Sequence, residues 1–458
     1  MPDVLVGLDV GTSGVKAVAI THDGELVAET DESYELSTPQ PGWAEQDPED
    51  WWRAAQACLS RLPDGPIGLS GQMHGLVALG GDGDVLRPAI LWNDQRTAAE
   101  CEEIERTIGL QRLIELTGNR ALTGFTAPKL LWLRRHEPEI YGRIRHILLP
   151  KDYVRFRLNG ERAIDAADAS GTLLFDVARR EWSVEMCEAL DIPLEWLPPA
   201  SDSTALGAAG DQAAAAVGAG VVAPGIASVV LGTSGVVFAA LPEYQADPQA
   251  RAHVFCHAVG WHAMGVMLSA AGSASWLRHV LDADYATLDA EAGARQPGVE
   301  GLLFAPYLTG ERTPHADADV RAAFTGLSLR HDRGALWRAM LEGVAFGLRD
   351  SLEVLRSLGC DPKTGRVSGG GARSELWVQI VASALQLPLE LTESTAGSAF
   401  GAAMLAGVRE GVFADAADAA GRCVRITGRV EPQWDYEDTY VRFRELYPLL
   451  RARTGMRT

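Results

Sequence analysis

Two stretches of this chain share one pattern: an apolar run, a polar Gly-Thr-Ser-Gly turn and a second apolar run. The first reads Val4-Leu5-Val6-Gly7-Leu8, then Asp9-Val10-Gly11-Thr12-Ser13-Gly14, then Val15-Lys16-Ala17-Val18-Ala19-Ile20. The second reads Ser228-Val229-Val230, then Leu231-Gly232-Thr233-Ser234-Gly235, then Val236-Val237-Phe238-Ala239-Ala240. Short apolar runs bounded by glycine predict strands, so each stretch is a strand–turn–strand unit, and its recurrence predicts a structural repeat.

Around these hairpins the pattern alternates. A strand is predicted at 25–28, and a helix starts at Asp47-Pro48-Glu49-Asp50, with its acidic first turn and its Trp and Ala face turned inward. Ile67-Gly68-Leu69-Ser70 reads as a strand ending in the glycine-bounded loop Gly71-Gln72-Met73-His74-Gly75, a good position for ligand contacts. Helical spacing marks 98–108, 127–135 and 152–158, before a proline break at Leu197-Pro198-Pro199. The boundary between two domains is placed near Gly220, giving 1–220 and 221–458. The second half adds helices at 273–281, 333–358 and 374–385, with the strand Arg366-Val367-Ser368 running into Gly369-Gly370-Gly371-Ala372. Strands alternating with helices imply an α/β fold.

The turns carry the first chemical signal. Glycine lets a ligand approach the backbone closely, and successive N–H groups with Thr and Ser hydroxyls suit phosphate oxygens. Gly11, Thr12 and Ser13 would hold one end of a polyphosphate, and Gly232, Thr233 and Ser234 the other, which points to ATP. Asp9, beside the first turn, would repel that nucleotide unless Mg²⁺ or its waters stood between them, so Asp9 is the metal candidate. Either turn alone also reads as an ordinary hairpin; the recurrence favours the clamp.

A chain of 458 residues predicts at least two domains with ample core. The formal net charge of −20 argues against a nucleic-acid or anionic-membrane surface. The six cysteines form no Cys-x-x-Cys pair, which signals neither a zinc site nor a disulfide scaffold and predicts reduced, buried thiols. No signal-peptide pattern opens the sequence, and the expected location is cytoplasmic.

Taken with both hairpins, Gly210-Asp211-Gln212 and Gly369-Gly370-Gly371-Ala372, four further motifs resemble the FGGY carbohydrate kinases over nearly the whole chain. They are Gly71 to Gly75, Leu91-Trp92-Asn93-Asp94-Gln95-Arg96, Tyr307-Leu308-Thr309-Gly310-Glu311-Arg312-Thr313-Pro314-His315, and Glu342-Gly343-Val344-Ala345-Phe346-Gly347-Leu348. The resemblance implies two actin-like, ribonuclease-H-like lobes around a central cleft, the first mainly for sugar and the second mainly for ATP. It also implies Mg²⁺-dependent phosphoryl transfer from ATP to D-xylulose at its 5-hydroxyl. Ribulose, gluconate and glycerol remain alternative substrates, because fold and ATP site would be common to all. A homodimer is left open.

Asp211 matches the family's Gly-Asp motif and suits a general base, since phosphoryl transfer gains from a carboxylate that orients the attacking hydroxyl. Its alternative role is helix N-cap before the Ala-rich run that starts at Ala213. The resemblance also implies that Met73 and His74 touch the sugar, with Gln212 as a second hydroxyl contact and Asn93 or Asp94 as weaker ones, since Trp92-Asn93-Asp94 could equally build the cleft wall. Gly370, Gly371 and Ala372 would let the nucleoside approach the backbone, near the N-terminus of the 374–385 helix. Glu311 and Arg312 read equally as a structural ion pair or as ligand contacts.

One departure stands out. Only eleven residues separate Pro199 from Asp211, fewer than is usual in the family. The segment 204–209 could supply a short, weakly pairing strand; without one, Asp211 would be displaced and the protein would bind nucleotide or sugar without useful turnover.

Overall fold

The computed structural model describes residues 4–393 and 397–454. Both hairpins form, and each lies at the centre of a sheet. The first sheet comprises β1 (Leu5–Val10), β2 (Gly14–Ile20), β3 (Leu26–Ser33), β4 (Ile67–Gly71) and β5 (Ala208–Gly210), in the order β5-β4-β1-β2-β3. The second comprises β6 (Ile226–Leu231), β7 (Gly235–Leu241), β8 (His253–Cys256), β9 (Trp261–Met267), β10 (Thr364–Ser368), β11 (Leu389–Thr392) and β12 (Ile426–Val430), in the order β8-β9-β7-β6-β10-β11-β12. β1 runs antiparallel to β2 and parallel to β4, and β6 runs antiparallel to β7 and parallel to β10. The repeat seen in the sequence is therefore a repeat of sheet topology, and the molecule has the two α/β lobes it implied.

Helices cover both faces of the first sheet. On one side α1 (Pro48–Leu59) is capped by the Asp47 carboxylate, which accepts from Glu49 N, and buries Trp51, Ala54, Ala55 and Cys58. The lobe also carries α2 (Thr126–His136) and the short α3 (Ala166–Ser170), while α4 (Asp211–Gly218) follows β5. In the second lobe come α5 (Ala271–Val280), the long, almost wholly buried α6 (Arg333–Ser357) and α7 (Glu375–Leu385). The last of these, α8 (Gly397–Arg409), packs across β1, β4 and α4 of the first lobe although it lies late in the chain. The approach is very close: a Cβ on Gly7 would stand 1.8 Å from Ala399 O, and one on Gly401 1.8 Å from Ala214 O.

The short approach to Asp211 resolves into two pieces. Residues Ser203–Leu206 form one helical turn rather than the start of a strand, and Gly207, at φ 60°, redirects the chain. Ala208–Gly210 then pair parallel to β4, Ala208 opposite Leu69 and Gly210 opposite Gly71.

The lobes also meet along the outer edge of the second sheet. The Asn119 side chain donates to Val254 O at 2.9 Å and accepts from Val254 N at 3.2 Å, occupying β8 as a neighbouring strand would. Ser170 Oγ accepts from Cys256 N at 3.0 Å, and Trp261 Nε1 donates to Val177 O at 2.7 Å. The six cysteines are unpaired and five of them are buried, as expected. Among the described residues, no helix is long and apolar enough to cross a membrane.

Candidate active site

Three parallel strands, β5, β4 and β1, end together, with Val10 and Gly210 both opposite Gly71. That register brings Asp9 and Asp211 to one edge of the sheet, where loops at the carboxyl ends of strands form ligand sites. Asp211 is the first residue of α4; Gly210 is the N-cap, and no side chain caps the helix. The capping alternative for Asp211 therefore falls, and among the described residues its carboxylate is engaged only by its neighbour Gln212, through the backbone N–H and a long side-chain contact, 3.5 Å, from Nε2.

Neither carboxyl forms an ion pair among the described residues. Burial pushes Asp9 up to about 6, against the pull of the Ser70 hydroxyl and the Lys16 ammonium, and Asp9 Oδ1 is buried without a hydrogen-bond partner. Burial and the charge of Asp9 push Asp211 up to about 7. Two facing carboxyls raised in this way suit a divalent cation, which would lower both. Among the described residues no group of three ligating side chains is gathered, so phosphate oxygens and water would complete the shell, as is usual for Mg²⁺.

Met73 and His74 lie on the loop that follows β4. Met73 is buried against Gly210, where a Cβ would stand 2.9 Å from Met73 Cγ. His74 adopts φ 69°, rare for a residue with a side chain and the kind of strain found at functional sites. Three contacts hold it there. Its Nδ1 lies 2.7 Å from Gly171 O, and its carbonyl accepts from Lys129 Nζ at 2.8 Å and Thr126 Oγ1 at 3.1 Å. Its ring packs on Phe125, with centroids 4.8 Å apart, and on Phe255 of β8 at 6.1 Å. Facing a carbonyl, Nδ1 carries the proton and leaves Nε2 as an acceptor for a hydroxyl. Burial, helped by the Lys129 charge, pushes His74 down to about 3, so the ring is neutral at pH 7.

Lys129 and Gly171 were not singled out by sequence, because one sits in the apolar run of α2 and the other in a turn. The only available signal was a lysine inside a buried helix, which needs a reason. Lys129 Nζ also bonds Gly124 O at 2.7 Å, so both of its partners are backbone carbonyls. We expect Lys129→Met to raise the sugar KM by roughly tenfold, the loss of one buried hydrogen bond that holds His74. Steady-state kinetics check this, and an unchanged KM would show that the loop keeps its shape alone.

Other predicted residues divide. Thr12 Oγ1 donates to Gln72 Oε1 at 3.1 Å and accepts from Trp92 Nε1 at 2.9 Å, so this hydroxyl ties the loops of the first lobe together. Gly11 N is spent closing its own hairpin on Gly14 O, while Ser13 is exposed. Asp94 is structural: it holds Arg96 and Ala44 N. Asn93 is half-buried, and its Oδ1 is buried without a partner.

In the second lobe, the carbonyls of Gly232 and Thr233 accept from Ala271 N and Ala270 N, which fixes the turn against the start of α5, and the Thr233 side chain is exposed. Beside it lies a cavity of about 530 Å³ lined by Tyr285, Asp289, Trp337, Trp377, Gly370 and Gly371, among others. A Cβ on Gly370 would meet nothing, so that glycine opens onto the cavity; one on Gly371 would meet Trp377 at 2.7 Å, so packing demands that glycine. Ala372 packs against the core. The N-terminus of α7 is already capped: Ser374 Oγ accepts from Trp377 N at 3.1 Å and donates to Asp289 at 2.6 Å.

Comparison with known proteins decides the family. The FGGY family of carbohydrate kinases matches through its N-terminal domain at residues 4–241 and its C-terminal domain at residues 227–410. The chain belongs to the FGGY family of carbohydrate kinases. As an FGGY kinase it uses ATP as cosubstrate. It is 42% identical over 432 residues to the xylulose kinase of Escherichia coli strain K12, covering 88% of this chain and 89% of that one. It is similar to the crystal structure of a xyloylose kinase from Brucella ovis, with TM-score 0.93 and 40% identity over 98% of this chain and 99% of the other. A gluconate kinase from Lactobacillus acidophilus, at 24% identity and TM-score 0.91 over 99% and 98%, shares the fold of this FGGY kinase.

Proposed function

We propose that this kinase transfers the γ-phosphoryl group of ATP to the 5-hydroxyl of D-xylulose, giving ADP and D-xylulose 5-phosphate. The observation that carries the reading is the register of β5 beside β4 and β1, which sets the unspent Asp211 carboxyl at the strand edge shared with Asp9 and the Met73–His74 loop. The relatives at 42% and 40% identity that bear the xylulose kinase name support the choice of sugar.

In this reading residues 1–220 chiefly hold the sugar and residues 221–458 chiefly the nucleotide. Met73 gives the sugar an apolar wall, while His74 Nε2, Gln212 and Asn93 meet its hydroxyls. Asp211 orients the attacking hydroxyl and accepts its proton as the new O–P bond forms and ADP departs. Gly11, Thr12, Ser13, Gly232, Thr233 and Ser234 line the phosphate path, with Thr12 acting through its backbone because its hydroxyl is engaged. Gly370, Gly371 and Ala372 border the nucleoside. Asp9 would hold Mg²⁺, directly or through its waters, and the cation when bound would neutralise phosphate charge and let both carboxyls ionise.

The test is ADP release by the purified protein with Mg·ATP against D-xylulose, L-ribulose, gluconate, glycerol and no sugar. We expect D-xylulose to give the highest kcat/KM by at least an order of magnitude, because a pocket built to hydrogen-bond one sugar rejects others strongly. A different preferred sugar would reassign the substrate. No stimulation by any sugar would mean that the short approach to Asp211 leaves the base out of reach.

A further inference from the structure

The loop at residues 307–317 is stapled to β9. Thr313 N donates to Val266 O at 3.0 Å, Val266 N donates to Thr313 Oγ1 at 3.0 Å, and Leu268 N donates to Glu311 Oε1 at 3.0 Å. Glu311 Oε1 also accepts from Arg312 N at 2.8 Å, and Oε2 is buried without a partner. The Glu311 carboxylate is thus spent on backbone, and the ion pair with Arg312 that the sequence allowed does not form. Among the described residues, no carboxylate lies within 4 Å of the Arg312 guanidinium and no hydrogen bond engages it.

A half-buried guanidinium with five donors and no acceptor calls for a ligand, because withdrawing a charge from water without a partner is expensive. Its position says which part of the ligand. Arg312 lines the seam between the lobes together with Asn119, Leu122, Ala252 and His253. The His253 ring lies 5.8 Å from Phe125, which packs on His74 at 4.8 Å. The Arg312 charge acts on both His74 and His253. The arginine therefore stands on the histidine side of the sugar loop.

We propose that Arg312 is a specificity-determining residue that grips the end of the sugar remote from the phosphorylated hydroxyl, its planar fork donating to a carbonyl oxygen and the adjacent hydroxyl. The inference rests on the assignment of Asp211 as base and of the Met73–His74 loop as sugar site. In a 2-ketose phosphorylated at its far end, that pair of acceptors is the C2 carbonyl and the C1 hydroxyl, a match for bidentate donation by arginine but not by lysine. The second lobe thereby supplies one contact to a sugar otherwise held by the first.

The experiment first establishes the sugar that wild type prefers, so failure of the D-xylulose assignment shows before any variant is made. KM and kcat are then compared for wild type, Arg312→Gln and Arg312→Lys on that ketose and on the polyol formed by reducing its carbonyl. We expect Arg312→Gln to raise the ketose KM by about 10- to 100-fold with kcat within a few-fold, and to erase most of the preference for ketose over polyol. Arg312→Lys should recover part of the loss, and it carries the test if the glutamine variant does not fold. Three results would each overturn the proposal: an unchanged KM, a fall in kcat at constant KM, or an equal rise in KM for ketose and polyol.

Discussion

Asp211→Asn lowers kcat by ~10²-fold or more, because it keeps the size and hydrogen-bonding reach of the side chain but removes the proton acceptor. The structure makes this a clean substitution. Asp211 does not cap its helix, and among the described residues its carboxylate is engaged only by the adjacent Gln212, so the fold loses little. The pH dependence sharpens the expectation. Burial and Asp9 raise Asp211 to about 7 in the protein without cation, so a base that must be ionised is half-protonated near neutrality. Wild-type kcat/KM should therefore climb through an apparent value near 7 and level off above it, while the residual activity of Asp211→Asn should lack that limb. Because Asp9 and Asp211 interact, the midpoint belongs to the pair, and saturating Mg²⁺ should move it down. A near-normal kcat in the asparagine variant would remove Asp211 from the mechanism.

The second large effect is expected far from any ligand. Gly401→Ala places a methyl group 1.8 Å from Ala214 O and 2.8 Å from Gly218 N, both on α4. Backbone cannot yield as a side-chain tip does, so α8 and α4 must move apart, at a cost of about 1–3 kcal/mol. The same shift reaches the site, since Ser398 Oγ on α8 donates to Asp211 O at 3.1 Å. We expect a lower denaturation midpoint together with reduced kcat in the variant that remains folded. An unchanged midpoint would show slack at this crossing.

Much of this was legible along the chain, for identifiable reasons. Both hairpins were, because strand–GTSG–strand is a local pattern that needs no distant partner, and α6, expected at 333–358, ends at Ser357. Asp211 was legible as a residue, but its role as cap or base was not, since that depends on which residue takes the N-cap geometry; Gly210 does. The helical turn at Ser203–Leu206 escaped because Gly207, at φ 60°, divides a stretch whose composition reads as one weak strand. The turn around Thr12 marks it as a phosphate ligand, and nothing local announces that Gln72, 60 positions on, and Trp92, 80 on, take its hydroxyl. Lys129 and Gly171 were hidden for the same reason: what makes them matter is His74, 55 and 97 residues away.

The position of α8 has a consequence for how the protein is made. One face of the first sheet, including Gly7 and Gly68, is covered by Ala399 and Ala402. Those residues leave the ribosome only after both sheets have almost entirely emerged. During synthesis the first lobe must therefore wait with an uncovered apolar face, and a helix made late in the chain completes the first domain begun. Early termination before α8 would leave that face exposed, a form suited to aggregation rather than to a smaller working kinase.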